Sequence, residues 1–389
     1  MIHIQSALGI SGTPCYVYDQ RKIRSNIGQF SKISYGHKSI HFASMANNNA
    51  TLLRLLKESS IGVFVNSMKH LAIALNSGFG PEDIIYATTG MSADDVRFLA
   101  SKRIRLHLDS LQQVDIYGSH APGRSVGVRL NIAERSKDNV LSAPESRIGM
   151  DRNDFPLLLA RAAKYSLKIV GAHVYLGTNI TSVDTMIEGT RHTLDMAMEF
   201  PDLEYVDLGS GFPVDDDGRM AFDYQSYADR ITALFAEYSR LRGRPISLIL
   251  EPGRALFGDT AVFCTKVIDV KERAGRRFVC CDASISLLPR SIFYGTYHPV
   301  SVLGKEDDTP YESPTDVVGS TTYSRDYLAK SVSLPKLEIG DVLVFKNAGS
   351  YCYSMMSHFL GQPWPAEVLV DDELVPRIIR EREVVEVHA

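Results

Sequence analysis

The sequence predicts an α/β protein, a (β/α)8 barrel followed by a mostly β domain, and three observations carry that expectation. The chain has 389 residues, more than one domain usually takes, although an α/β barrel uses about 250 as a single unit. From about residue 39, short β-branched runs alternate with amphipathic helical stretches, the pattern of parallel β/α units. After Glu251 the alternation stops, and short strands follow one another between turn residues.

Eight runs read as barrel strands: Ser39 to Ser44, Ile61 to Val65, Asp83 to Ala87, Ile104 to Asp109, Ser125 to Asn131, Lys168 to Leu176, Glu204 to Leu208 and Ile246 to Glu251. Between them lie helical patterns such as Ala50 to Lys57, whose leucines recur at helical spacing. Beyond the barrel, Ala261 to Val270, Arg277 to Cys281, Asp341 to Phe345 and Ala366 to Val370 read as strands, and Lys305 to Asp316 as a polar surface loop. The expected organisation is an N-terminal strand segment over 1–25 packing on the C-terminal domain, a cofactor-binding barrel over 26–255, and a β domain over 256–389.

Apolar residues make up 44% and charged residues 23% of the chain, close to the average for globular proteins, which excludes long disorder and fibrous folds. A formal net charge of −4 predicts no nucleic-acid partner. Met1 to Gln5 lacks a basic start leading into an apolar run, and no long uncharged apolar stretch occurs, so no membrane partner and a cytoplasmic location are expected. Cys15, Cys264, Cys280, Cys281 and Cys352 show no CxxC spacing, so neither a disulfide framework nor a metal site is expected.

In a barrel of this kind the active site is built at the C-terminal ends of the strands. Three segments at such places, Phe42 to Asn49 (FASMANNN), Val206 to Phe212 (VDLGSGF) and Glu251 to Arg254 (EPGR), resemble in order the YALKANSN-type, GGGF-type and EPGR segments of diaminopimelate and ornithine decarboxylases. The run from Asp282 through Leu288 to His298 resembles their DAG…LIRPALYGAYH. Gly349 to Ser357 resembles GAY…SMSS. The similarity spans nearly the whole chain and implies fold type III pyridoxal-phosphate-dependent decarboxylases, with an alanine racemase-like barrel, a β domain that completes the active site, and a cytoplasmic homodimer working in amino-acid biosynthesis.

The resemblance assigns roles position by position. Gly209, Ser210 and Gly211 would supply unobstructed N–H donors to the cofactor phosphate at a helix N-terminus. Arg254 would add a charge-assisted contact to the same phosphate, and Tyr351 and Thr178 match further cofactor contacts. Glu251 would keep the pyridine nitrogen protonated, making the ring an electron sink. Tyr175 occupies the place of the ring-stacking aromatic, and His173 reads as a satisfied barrel histidine. Arg290 matches the arginine that holds a substrate carboxylate, and Asp326 retains an acidic position of the cross-subunit segment. Each also has a plainer reading: a turn, a core tyrosine or an ion pair.

The sequence departs from the family where covalent chemistry is done. The lysine that holds the cofactor is Met45, whose thioether can form no imine. Phe64 replaces an acidic residue, His70 a glutamate, Thr322 the proton-donating cysteine, and Tyr323 the glutamate that binds a distal amine. Lys38 lies too early on its strand to substitute, and Lys69 sits one loop away. Coordinated changes of this kind indicate natural divergence rather than one introduced substitution. Three functional readings follow: a divergent enzyme binding pyridoxal phosphate noncovalently and acting on an amino-acid-like small molecule; a pseudoenzyme that partners a true decarboxylase; and a cofactor-independent enzyme using His70, Tyr323 and Arg290.

Overall fold

A computed structural model describes residues 3–132, 146–214, 222–295 and 297–386. The chain divides into two compact units. One comprises Gly28–Pro213 with Met220–Gly253, the other Met1–Ile27, Val214–Arg219 and Arg254–Ala389.

The first unit is a closed parallel barrel, for which strands are numbered along the whole chain after β1 (Cys15–Asp19) of the second unit. They are β2 (Lys38–Ala43), β3 (Gly62–Val65), β4 (Ile84–Ala87), β5 (Arg105–Leu108), β6 (Ser125–Leu130), β7 (Lys168–Val174), β8 (Tyr205–Asp207) and β9 (Ser247–Leu250). Each pairs with its successor, and Lys38 to Ile40 of β2 pair with Leu248 to Leu250 of β9 to close the ring. All eight expected strands are present, with ends within two residues of the predicted ones. Alternation along each strand sends one face to the helices and the other into the barrel.

Helix starts follow local chemistry. Asn49 Oδ1 accepts the Thr51 N–H at 2.9 Å, and Ser67 Oγ accepts the His70 N–H at 3.2 Å, satisfying donors that the first helical turn cannot. Glycine makes room inside the barrel. A Cβ on Gly127 would stand 2.4 Å from the His107 ring, and one on Gly171 2.0 Å from the Tyr205 ring, so these large side chains occupy space that only a glycine neighbour leaves open.

The interior is divided by chemistry. Ala43, Phe64, Ile85, Ala87, Val170, Tyr205 and Ile249 form an apolar cluster, against which Met45 packs. His107, His173, Asp207 and Glu251 form a polar group that meets this cluster at Tyr205 and Phe64.

The second unit holds a nine-stranded sheet in which β1 lies centrally. It pairs antiparallel with β10 (Ala261–Arg273), opposing Cys15 to Cys264, and parallel with β16 (Ala366–Val370). Further strands are β11 (Arg276–Cys281), β12 (Val300–Val302), β13 (Thr315–Val318), β14 (Tyr327–Val332), β15 (Val342–Phe345) and β17 (Pro376–Arg380). An unexpected helix, Ile4–Ser11, packs Ala7 into the apolar cluster of Val17, Cys264 and Val368. The polar stretch expected as loop through Asp316 ends inside β13. Asp316 is buried because the Arg276 guanidinium, 2.7 Å away, pairs with it. All five cysteines are free thiols. Among the described residues no helix is long and apolar enough to cross a membrane.

Candidate active site

The barrel strands deliver their functional side chains at or just beyond their C-terminal ends. Met45 follows β2 and lies half-buried on the apolar cluster beside Phe64 of β3. Phe64 in turn lies 6.0 Å, ring to ring, from His173. The position where the family resemblance places a lysine nitrogen is therefore part of an apolar wall.

Glu251 follows β9 and is buried, with His173 Nε2 3.5 Å from its Oε2 and no hydrogen-bond partner for its Oε1. Burial pushes its carboxyl up to about 7. Asp207, at the end of β8, is fully buried, and burial together with the nearby Glu251 charge raises its carboxyl well above the usual range. His173 is pushed down to about 4 by burial, so its ring is neutral at physiological pH. It is not a satisfied core histidine, because Nδ1 has no partner.

The Gly209-Ser210-Gly211 turn differs from the expected helix N-terminus. Residues 211–214 are irregular, and the next described helix begins at Tyr224. Gly209 has a left-handed backbone with φ of 59°, and its N–H donates to Asp207 Oδ1 at 2.9 Å while its carbonyl accepts the Glu251 N–H at 2.6 Å. That glycine is committed to bracing the two carboxylates. The amides of Ser210 and Gly211 donate no hydrogen bond among the described residues, so an oxyanion at this turn has two donors rather than three. Tyr175 and Thr178, on the segment after β7, are exposed.

His70 lies in the first turn of the helix Met68–Asn76. Its Nδ1 is buried without a partner, and burial, reinforced by the Lys69 charge, lowers its basicity.

The remaining expected residues belong to the second unit. The Arg254 guanidinium lies 5.4 Å from the Tyr294 ring centre and 5.0 Å from that of Tyr351, a stacked arrangement that orients its donors. Tyr351 has a left-handed backbone with φ of 55°. Arg290 opens the short helix Arg290–Tyr294 and is buried. Thr322 is exposed, and the Tyr323 ring packs edge-on against Phe359 at 5.3 Å. Asp326 does not present itself to a ligand. Its Oδ1 accepts the Ile285 N–H at 2.7 Å and its Oδ2 the Thr321 hydroxyl at 2.5 Å, so it braces the loop that carries Thr322.

Two residues of this site escaped the sequence reading, His107 and Asp207. Asp207 lies within the VDLGSGF segment, two residues before Gly209, and its place at the end of a predicted strand was the available signal. His107 carried no motif; only its alternate position on a predicted strand marked it as inward-facing.

Comparisons with known proteins agree on one family. Residues 20–258 match the family described as "Pyridoxal-dependent decarboxylase, pyridoxal binding domain". The diaminopimelate decarboxylase of Methanothermobacter thermautotrophicus is 31% identical over 392 residues, covering 96% of this chain and 90% of that protein. A crystal structure of a diaminopimelate decarboxylase superimposes with a TM-score of 0.90 at 27% identity, over 98% of this chain and 94% of the other. The diaminopimelate decarboxylase from Helicobacter pylori complexed with L-lysine superimposes with a TM-score of 0.86 at 26% identity, over 98% and 97% of the two chains.

Proposed function

The chain belongs to the fold type III pyridoxal-phosphate-dependent decarboxylases, and from that premise we propose that it binds pyridoxal phosphate without a covalent bond and acts on an amino-acid-like substrate. The barrel's donor set suits the cofactor in two respects. The unpaired amides of Ser210 and Gly211 can receive a phosphate, and the buried, unpartnered Oε1 of Glu251 needs a proton or cation facing it. When bound, the cofactor supplies an electron sink for bonds at a substrate α-carbon.

Met45 carries the noncovalent part of the reading. It packs on the apolar cluster with Phe64 and offers no nucleophilic nitrogen, so the exchange of protein amine for substrate amine that speeds the family's chemistry has no donor at this position. Loss of that step costs orders of magnitude in rate. The resemblance gives Glu251 to the ring nitrogen, where a carboxylate would hold a proton, and the exposed Tyr175 ring has a face on which an aromatic ring can lie. The resemblance gives Arg254 and Tyr351 to the phosphate and Arg290 to the substrate carboxylate, and the stacking of Arg254 on two tyrosines suits oxyanion binding. Replacement of the distal-amine glutamate by Tyr323 turns the reading away from a diaminopimelate-like side chain. A homodimer is supported by the exposure of Ile292, Phe293, Tyr294 and Tyr297, large apolar and aromatic side chains of the kind that partners cover.

The test is the absorption spectrum of the purified chain titrated with pyridoxal phosphate, before and after borohydride. The expected result is a saturable spectrum of free-aldehyde type and no reduced adduct on any lysine. An adduct on Lys69 overturns the noncovalent reading. No binding at all favours the cofactor-independent enzyme or the partner of a true decarboxylase.

A further inference from the structure

The barrel strands begin at a mouth opposite the one that carries Met45, Glu251 and the glycine turn, and this second mouth holds a cavity of about 520 Å³ lined wholly by the barrel unit. Three arginines line it. Arg105 opens β5, Arg103 stands two residues before it, and Arg124 immediately precedes β6. The floor is Tyr205, a buried ring at the start of β8, in the space that Gly127 and Gly171 leave. Glu204 is the single carboxylate of the lining, so three positive charges face one negative. None of the three guanidiniums forms an ion pair with a carboxylate among the described residues. Like charges gathered in a concavity with apolar walls raise its potential and draw anions to it.

The arginines differ in what else could account for them. Arg124 sends one long N–H contact, 3.5 Å, to the Ala100 carbonyl, and the carbonyl end of the helix Ala93–Lys102 favours a cation there. Arg105 has no such role. Its guanidinium lies over the Tyr205 ring, 5.0 Å from the centre, which fixes its plane and leaves its edge donors pointing away from the ring. Arg103 caps that same helix with a left-handed backbone, φ of 58°, a conformation that costs a residue with a β-carbon about 1–2 kcal/mol. Glycine is the usual choice at such a helix end, so helix termination alone does not favour an arginine.

We propose that this mouth is a second ligand site, for a small molecule that carries a multiply charged oxyanion group, as a phosphate ester or a polycarboxylate does. The cavity has the size of a small-molecule pocket. Its excess of two positive charges is balanced by a dianion, and the flat guanidinium fork matches the oxygens of carboxylate and phosphate. Tyr117, buried beside the arginines, adds an aromatic wall. The inference does not rest on the cofactor reading, because Gly209, Ser210, Gly211 and Glu251 follow the opposite ends of their strands.

The full chain, free of pyridoxal phosphate, is titrated calorimetrically with pyrophosphate and, separately, with citrate at physiological ionic strength. The expected result is saturable binding of one equivalent. Tighter pyrophosphate assigns a phosphate ester, and tighter citrate a polycarboxylate. Arg105→Gln and Arg103→Gly are each expected to weaken binding by at least about tenfold, through loss of charge-assisted hydrogen bonds. Lys102→Gln, which removes an exposed cation outside the cavity, is expected to change it by less than about twofold, since solvent and salt screen that charge. Circular dichroism reports whether each variant has folded. Should Arg105→Gln fail to fold, Arg103→Gly carries the test, because glycine takes the left-handed backbone without strain. A folded parent chain that binds neither anion overturns the proposal. An equal loss in Lys102→Gln overturns it too, by showing diffuse charge rather than a site. Binding that survives both cavity variants overturns it as well, and its displacement by pyridoxal phosphate would assign the anion to the cofactor site. Failure of pyridoxal phosphate to bind, measured separately, leaves this result standing.

Discussion

The rings of His107 and His173 stack inside the barrel, with centroids 4.6 Å apart and planes inclined by 15°. Two imidazolium ions in that contact would repel each other in a medium that already penalises charge. Burial therefore holds both rings neutral and lowers the basicity of each. His41 of β2 is in the same condition, pushed down to about 3 by burial and by the Arg105 charge.

His41 gives stability a pH dependence of definite sign. The unfolded chain protonates this ring below about pH 6.5 and the folded chain only near pH 3, so its contribution is complete above 6.5 and is lost as pH falls between those values. By pH 4 the loss amounts to about 3 kcal/mol. In urea denaturation across that range, His41→Gln is expected to lose correspondingly less stability than the parent chain. Parallel curves for the two proteins would show that His41 does not titrate as a buried neutral ring.

Restoring the nitrogen at position 45 is expected to restore the covalent link. Met45→Lys, incubated with pyridoxal phosphate and borohydride, is expected to carry a reduced adduct on the peptide containing residue 45, read by mass spectrometry. The variant is also expected to be less stable by about 1–3 kcal/mol without cofactor, because an amine replaces a thioether on an apolar wall.

Gly209 holds the turn that braces Asp207 and Glu251. Its φ of 59° is left-handed, and a Cβ there would lie 2.4 Å from the Val174 carbonyl oxygen, a backbone atom of β7 that has no freedom to retreat. Gly209→Ala is expected to cost about 2–4 kcal/mol in chemical denaturation. A change under about 0.5 kcal/mol would mean the turn relaxes without the glycine.

In the second unit Glu367 of β16 is completely buried, accepting the Tyr18 hydroxyl at 2.7 Å and pairing with Arg380 Nε at 2.9 Å. Glu367→Ala leaves the guanidinium without its charge partner and is expected to lower stability by about 3–5 kcal/mol. Glu367→Gln, which keeps an acceptor for Tyr18, is expected to lose less. Equal losses in the two variants would place the cost in packing rather than in charge.

Much of this protein was legible in its residues alone. Alternation of β-branched runs with leucine-spaced helices located all eight barrel strands, since strand and helix periodicities are local properties of the chain. The FASMANNN, VDLGSGF and EPGR segments marked the family, and Met45 stood out because one side chain cannot do another's chemistry. What escaped depended on distant partners. The strand beginning at Thr315 sits in a polar stretch, and the buried Asp316 finds its partners, the Arg276 guanidinium and the Ser331 N–H, on other strands. Asp326 matched a substrate position, yet its oxygens are taken by Ile285 and Thr321. Above all, the meeting of His107 with Asp207, a hundred residues further along the chain, was decided by closure of the barrel. A period of two tells which side chains point inward, but which of them touch is set by the register and curvature of the closed sheet.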